Sequence, residues 1–193
     1  MTEDSNNILL SKAEKSIKKG KISDLAKLFI LMGLPGSGKS YVSSYLHQKH
    51  GFTVLSGESI TFSIFGTEKC SGGEYALAYK TLRQLAVKLL SQRYSVVIDG
   101  TNLKYVFRKQ IYDEVICKST TLIYLKTDDK TALSRTSQRG IDYQNKKDIK
   151  STCSQETFNS FKDQLEEPLS NENFIVVNSD DQVFINIDSI IKT

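Results

Sequence analysis

Short apolar runs alternate along this chain with longer segments whose apolar residues recur every three to four positions. Lys27–Met32 (KLFILM) is a continuous apolar run, the pattern of a strand covered on both faces. Thr53–Ser56, Ser95–Asp99, Thr121–Leu125 and Phe174–Val177 are further short runs of the same kind. Between them the period changes. A helix is predicted from Lys39 to about Lys49, and Glu74–Gln92 carries Ala78, Leu82, Leu85, Ala86 and Leu89 on one helical face. Lys104–Cys117, Lys130–Arg139, Gln155–Glu166 (stopped by Pro168) and Val183–Ile191 complete the helical segments. Five alternations of strand and helix predict an α/β fold, a five-stranded parallel sheet with helices on both faces. Ahead of them, residues 1–26 are polar and lysine-rich. Ile8, Leu9, Ala13 and Ile17 predict a short leading helix, followed by a turn at Gly20. One N-terminal helical extension (1–26) and one domain (27–193) account for the chain, and Gly140–Ser154, rich in Lys, Asn and Asp, is the expected mobile segment.

Composition narrows the setting. The chain has 193 residues, 39% hydrophobic and 25% charged, enough for one domain with a buried core. No apolar run approaches the roughly 20 residues of a membrane span, and the opening Met1-Thr-Glu-Asp-Ser has no apolar signal core. Cys70, Cys117 and Cys153 are odd in number and lack CxxC spacing, which argues against a disulfide framework or zinc site and suits a reducing compartment, the cytoplasm. The net charge of +4 is too weak to name nucleic acid as a partner.

The chemistry begins directly after the first strand. Gly33-Leu-Pro-Gly-Ser-Gly-Lys39-Ser40 matches G-x-x-x-x-G-K-[ST] and leads into a helix. Gly33, Gly36 and Gly38 let the backbone turn its N–H groups inward on phosphate oxygens, and the helix N-terminus adds its dipole. Lys39 would reach the β- and γ-phosphates and the Ser40 hydroxyl would ligate Mg²⁺. Pro35 and Ser37 within the loop, and Tyr41 just after it, join the candidate ATP-binding set. This is a nucleoside-triphosphate site.

The later strand ends carry polar groups on the edge where ligands bind in open α/β sheets. Glu58, just past the second strand, reads equally as a general base for an attacking hydroxyl and as a solvated or helix-N-terminal acid. Asp99 ends the third strand, where a carboxylate can hold Mg²⁺ directly or through water and Ser40. Thr101 and Asn102 suit substrate hydrogen bonding or helix capping alike. Arg108 could pair with a phosphate, with exposure the safer expectation. Arg135 and Arg139 share a helix face at i, i+4 and, with the polar stretch that follows, suggest a lid over about 130–154. Phe62 and Phe65 are expected in the core. His47 and His50 read as surface or capping residues, and Tyr75 and Tyr79 as amphipathic packing.

GLPGSGKS (33–40), VLSGESITFSIFG (54–66), VVIDGTNL (96–103) with Arg108, LSRTSQR (133–139) and EEP (166–168) together resemble the small P-loop kinases related to phage polynucleotide kinase and zeta toxins. The resemblance implies an adenylate-kinase-like three-layer core with strand order 2-3-1-4-5. It also implies ATP with Mg²⁺, and phosphorylation of a hydroxyl on a nucleic-acid 5′ end or on a small molecule such as a nucleoside, nucleotide or nucleotide-sugar. By the same resemblance Glu58 falls at the general base, usually an Asp. Asp99 falls on the acid ending the third strand, and Arg135 and Arg139 on the lid arginines. Thr61 stands where polynucleotide kinases commonly place an Arg that grips substrate phosphate, which weighs against the nucleic-acid acceptor. An ATPase or ATP-binding switch is the non-kinase alternative.

Overall fold

A computed structural model of the chain describes residues 3–67, 70–145, 153–180 and 182–192, with the side chains of 3, 138–145 and 192 left aside. The strands are β1 (Leu28–Met32), β2 (Thr53–Ser56), β3 (Val96–Asp99), β4 (Thr120–Lys126) and β5 (Phe174–Asn178). They form one sheet in the order β2-β3-β1-β4-β5, and every pairing is parallel. β1 is therefore central, and alternate residues feed two cores. Leu28, Ile30 and Met32 pack on one face with α4 (Gly72–Ser91). Phe29 and Leu31 pack on the other with α2 (Lys39–His50) and α8 (Val183–Lys192). Covering both faces explains why the strand reads as an unbroken apolar run.

The remaining helices are α1 (Glu3–Lys15), α3 (Gly57–Phe65), α5 (Tyr105–Glu114), α6 (Asp129–Asn145) and α7 (Gln155–Asp163). α1 lies against α3 and α4 through buried Ala13 with Leu9, Leu10 and Ile17, and Ile8 turns outward. The connection that follows is tied down by hydrogen bonds from Gly20 N to Thr53 Oγ1 and from Lys21 N to Gly51 O. α6 runs through residues 140–145, which the polar composition had marked as the start of a mobile stretch. The rest of that stretch, up to residue 152, lies outside the described residues.

α3 was not anticipated from the hydropathy pattern. Ser56, the last residue of β2, accepts a hydrogen bond from Ser59 N as N-cap, Gly66 closes the helix in the left-handed region, and Ile60 and Ile64 bury its inner face. Phe65 packs against the core as expected; Phe62 does not, and is 39% exposed on the outer face. No described helix is long and apolar enough to cross a membrane, and all three cysteines are free.

Candidate active site

Parallel strands carry their following loops to one edge of the sheet, and the order β2-β3-β1-β4 brings residues 56–58, 99–102, 33–40 and 126–135 together there. The loop after β1 begins with Gly33, whose N–H donates to Thr101 O. Gly36 holds φ at +82° and Gly38, the N-cap of α2, at +91°. A Cβ on Gly36 would overlap the carbonyl oxygen of Ala132 in α6, so the loop is pressed against that helix.

α2 and α5 both start without a side-chain cap from their own N-cap residue or a first-turn acid, but the first N–H of α5, on Tyr105, is taken by Glu166 Oε2. α3, α4 and α7 are each capped by a serine hydroxyl, from Ser56, Ser71 and Ser154. α2 has neither a capping side chain nor an acid in its first turn. No side chain caps its first turn, and the positive end of its dipole faces the loop. Lys39, buried at the same position, folds back so that Nζ donates to Gly33 O and Leu34 O (both 2.8 Å) and to Ser37 Oγ (3.4 Å). Backbone N–H groups at a helix N-terminus together with an ammonium are the kind of arrangement that can hold a phosphate. Pro35 is half-buried in the loop and Ser40 is exposed at its rim. Tyr41 points away, 63% exposed, with its ring 4.7 Å from Phe184 of α8.

Asp99, at the end of β3, is 9% exposed and accepts from Ser43 Oγ at 2.8 Å. Ser43 lies almost one turn beyond Ser40 on α2, so this bond joins the end of β3 to the first turns of α2. Ser40 and Asp99 offer hard oxygen ligands of the kind Mg²⁺ takes alongside phosphate oxygens and waters. Among the described residues no cluster of three His, Cys, Asp or Glu forms a self-contained metal cage. His47 Nδ1 lies 2.8 Å from Phe52 O and His50 Nε2 lies 2.8 Å from Asp188, both in local roles.

Glu58 sits in the first turn of α3, exposed beside Asp99's strand end. Ser56 and Asp99 are register partners across β2 and β3, so Glu58 and Asp99 share the same mouth. Asn102, with φ +46°, is buried and staples β3's exit to β1 through Nδ2 to Leu31 O at 2.7 Å. Thr101 is half-buried and anchors the loop through its carbonyl. Thr61 is 1% exposed and its hydroxyl is spent on Gly57 O at 2.7 Å. It stands on the buried inner face of α3.

Arg108, expected to be exposed, is fully buried. Nε and Nη2 pair with both oxygens of Glu172 at 2.8 and 2.9 Å, and Nη1 donates to Asn102 O, Leu103 O and Glu166 O. Tyr112 Oη and Leu169 N also donate to Glu172. Arg108 thereby clamps the start of α5 to the segment after α7, and its guanidinium is engaged by the protein itself.

Arg135 reaches the loop from α6. Nη1 donates to Ser179 Oγ at 2.8 Å and more weakly to Gly36 O at 3.5 Å, and Nη2 donates to Ser179 O at 3.2 Å. The Arg139 side chain lies outside the described residues. Beside the loop, between the ends of β4 and β5, a cleft of about 530 Å³ is lined by Leu34, Ser37, Thr127, Asp128, Asn178 and Ser179; Thr127 Oγ1 is buried there with no hydrogen-bond partner.

Ser43, Ser179 and Tyr79 were missed by sequence reasoning. Ser43 had a faint signal, its spacing from Ser40. Ser179 had none, because its neighbours Gly38 and Arg135 are remote in the chain. Tyr79 of α4 read as packing, yet its hydroxyl lies beside Gly57 and Gly100. Burial, followed by the charges of Glu58 and Asp99, pushes its pKa up to about 12.

A family model described as an AAA domain matches residues 28–168, which include β1, the Gly33–Ser40 loop, Glu58, Asp99 and Arg135. The chain belongs to that family. No curated protein matches the sequence. Among solved structures, a sugar kinase from Janibacter sp. HTCC2649 superposes with TM-score 0.66 at 14% identity, over 86% of this chain and 95% of that one. Kti12 from Chaetomium thermophilum in complex with ADP-AlF3 gives 0.59 at 18%, over 85% and 98%. The Pnkp1/Rnl/Hen1 RNA repair complex gives 0.60 at 20%, over 74% of this chain and 45% of that one. At these identities the likeness is one of fold, the P-loop kinase-like α/β fold with the strand order found here.

Proposed function

We propose that the chain is an ATP-dependent phosphotransferase whose acceptor is a hydroxyl on a small molecule. The observation that carries the nucleotide half is the uncapped N-terminus of α2 beneath the Gly33–Ser40 loop, with Lys39 buried inside it. The loop amides and Lys39 hold the triphosphate. Ser40 and Asp99 would hold Mg²⁺, which when bound neutralises charge on the β- and γ-phosphates. Glu58 takes the proton of the acceptor hydroxyl, whose oxygen forms the new bond to the γ-phosphorus as the bond to the bridging oxygen breaks and ADP leaves. Arg135 and Arg139 offset the charge that builds on the transferring group. For Arg135 this requires release from Ser179, a short move for a side chain already touching the loop.

The small-molecule acceptor is favoured because Thr61 and Arg108, the positions from which a polynucleotide phosphate would be gripped, are both spent on the protein itself. Transfer of labelled γ-phosphate tests the whole reading, with sugars, polyols, nucleosides, nucleotides, nucleotide-sugars and 5′-hydroxyl oligonucleotides as acceptors and Lys39→Ala as blank. Label on a small molecule, abolished by Glu58→Gln with ATP binding retained, is the expected result. Label on oligonucleotide ends would move the acceptor to nucleic acid. Label found only in free phosphate would make the protein an ATPase.

A further inference from the structure

Tyr79 belongs to α4, away from the motif-bearing loops, yet its phenol reaches them. A Cβ on Gly57 would stand 2.5 Å from Tyr79 Oη and 2.8 Å from Cζ, and one on Gly100 would stand 3.4 Å from Oη. Gly57 follows β2 and Gly100 follows β3, and these strands are neighbours in register. The phenol oxygen is therefore lodged between two adjacent strand ends, against backbone that carries no side chain. Gly57 is helical and has no positive φ. Its lack of a Cβ serves space for the phenol rather than backbone freedom.

The chemistry of that position is specific. Glu58 follows Gly57 and Asp99 precedes Gly100, so a carboxylate stands beside each wall of the socket. Tyr79 is half-buried, so its hydroxyl, flanked by two carboxylates, stands at the mouth of the site where an incoming oxygen can reach it. Carboxylates welcome the hydroxyls of a neutral polyol and repel an acceptor phosphate.

We propose that Tyr79 is an acceptor-binding residue, its Oη donating to an oxygen of a neutral, polyhydroxylated acceptor of the sugar or nucleoside class. This rests on the phosphotransferase reading above and deepens it. Tyr79 keeps its own proton throughout: the acceptor's proton passes to Glu58, and the phenol only orients the oxygen that attacks.

Tyr79→Phe removes the one oxygen and keeps the ring. The probes are ribose, glucose, glycerol and uridine, with a 5′-hydroxyl hexanucleotide beside them. With whichever neutral probe the wild type phosphorylates, Tyr79→Phe is expected to raise the acceptor KM about fivefold or more, the loss of one hydrogen bond, while the KM for ATP moves less than twofold. Gly57→Ala, which pushes the phenol out of its socket, should repeat that split; thermal unfolding of both variants confirms that they are folded. An unchanged acceptor KM in folded Tyr79→Phe overturns the assignment and leaves the phosphotransferase reading standing. Wild-type transfer to the hexanucleotide alone overturns the neutral acceptor class. No wild-type transfer to any probe overturns the phosphotransferase reading, and the role of Tyr79 with it.

Discussion

Ser43 Oγ donates to Asp99 Oδ2 at 2.8 Å, both side chains buried, and so locks the first turns of α2 to the end of β3. The phosphate helix and the proposed metal-side acid therefore move as one piece. Ser43→Ala leaves that carboxylate oxygen without its partner inside the protein, at a cost of about 1.5–3 kcal/mol. Phosphate transfer is expected to fall at least about tenfold, equivalent to about 1.4 kcal/mol of barrier. Denaturant melts and steady-state rates on the same preparation measure the two effects.

Gly36→Ala tests the loop without touching a charged group. At φ +82° an alanine is strained, by about 1–2 kcal/mol, and its Cβ would overlap Ala132 O of α6. The loop must then lift from the helix and misdirect its N–H groups. Calorimetric titration with Mg-ATP should show at least about a tenfold loss of affinity, about 1.4 kcal/mol, with the circular dichroism spectrum unchanged.

Arg108→Met should unfold the chain far more readily than a surface substitution. It strands Glu172, whose side chain is 2% exposed, and breaking a buried pair from one side costs about 3–5 kcal/mol. The same pair sets a pH dependence. Burial alone would raise the Glu172 pKa, but hydrogen bonds from Arg108, Leu169 N and Tyr112 outweigh it and hold the value below the ordinary 4.5. The folded chain thus binds fewer protons than the unfolded one in acid. This contribution is complete above 4.5 and disappears as pH falls through the folded value. Glu172→Gln should flatten the acid limb of the stability curve in urea melts from pH 6 to pH 3.

Asp188→Asn should loosen α8. Lys49, Tyr45 and His50 of α2 all converge on this carboxylate and hold its pKa well below the usual range. Phe184 also stacks on Tyr45, with centroids 3.9 Å apart. With the charge removed, hydrogen exchange should quicken in α8 amides first and leave β1 protected. An unchanged α8 exchange pattern would show that the aromatic stack alone holds the helix.

Much of this was legible in local pattern. KLFILM (27–32) and TLIYL (121–125) are strands because both their faces are covered, and Gly33–Ser40 turns tightly into α2 because its glycines take up positive φ. α3 was not legible, because GESITFSIF (57–65) is rich in β-branched and aromatic residues and becomes helical through the Ser56 cap, the Gly66 stop and the burial of Ile60 and Ile64. Arg108 was misjudged as exposed for a related reason: Glu172, which pays for its burial, lies 64 residues further on.

By itself the sequence determined the alternation of elements, the glycine-rich loop between β1 and α2 and the strand-end positions of Glu58 and Asp99, since each follows from periodicity or spacing within about ten residues. Only the tertiary structure decided which polar groups are spent and which are left available. Thr61 turns inward to Gly57, Arg108 is consumed by Glu172, and Tyr79 is carried on α4 into the gap between Gly57 and Gly100. Hydrogen-bond partnership and burial are set by neighbours distant in the chain, and no local pattern encodes them.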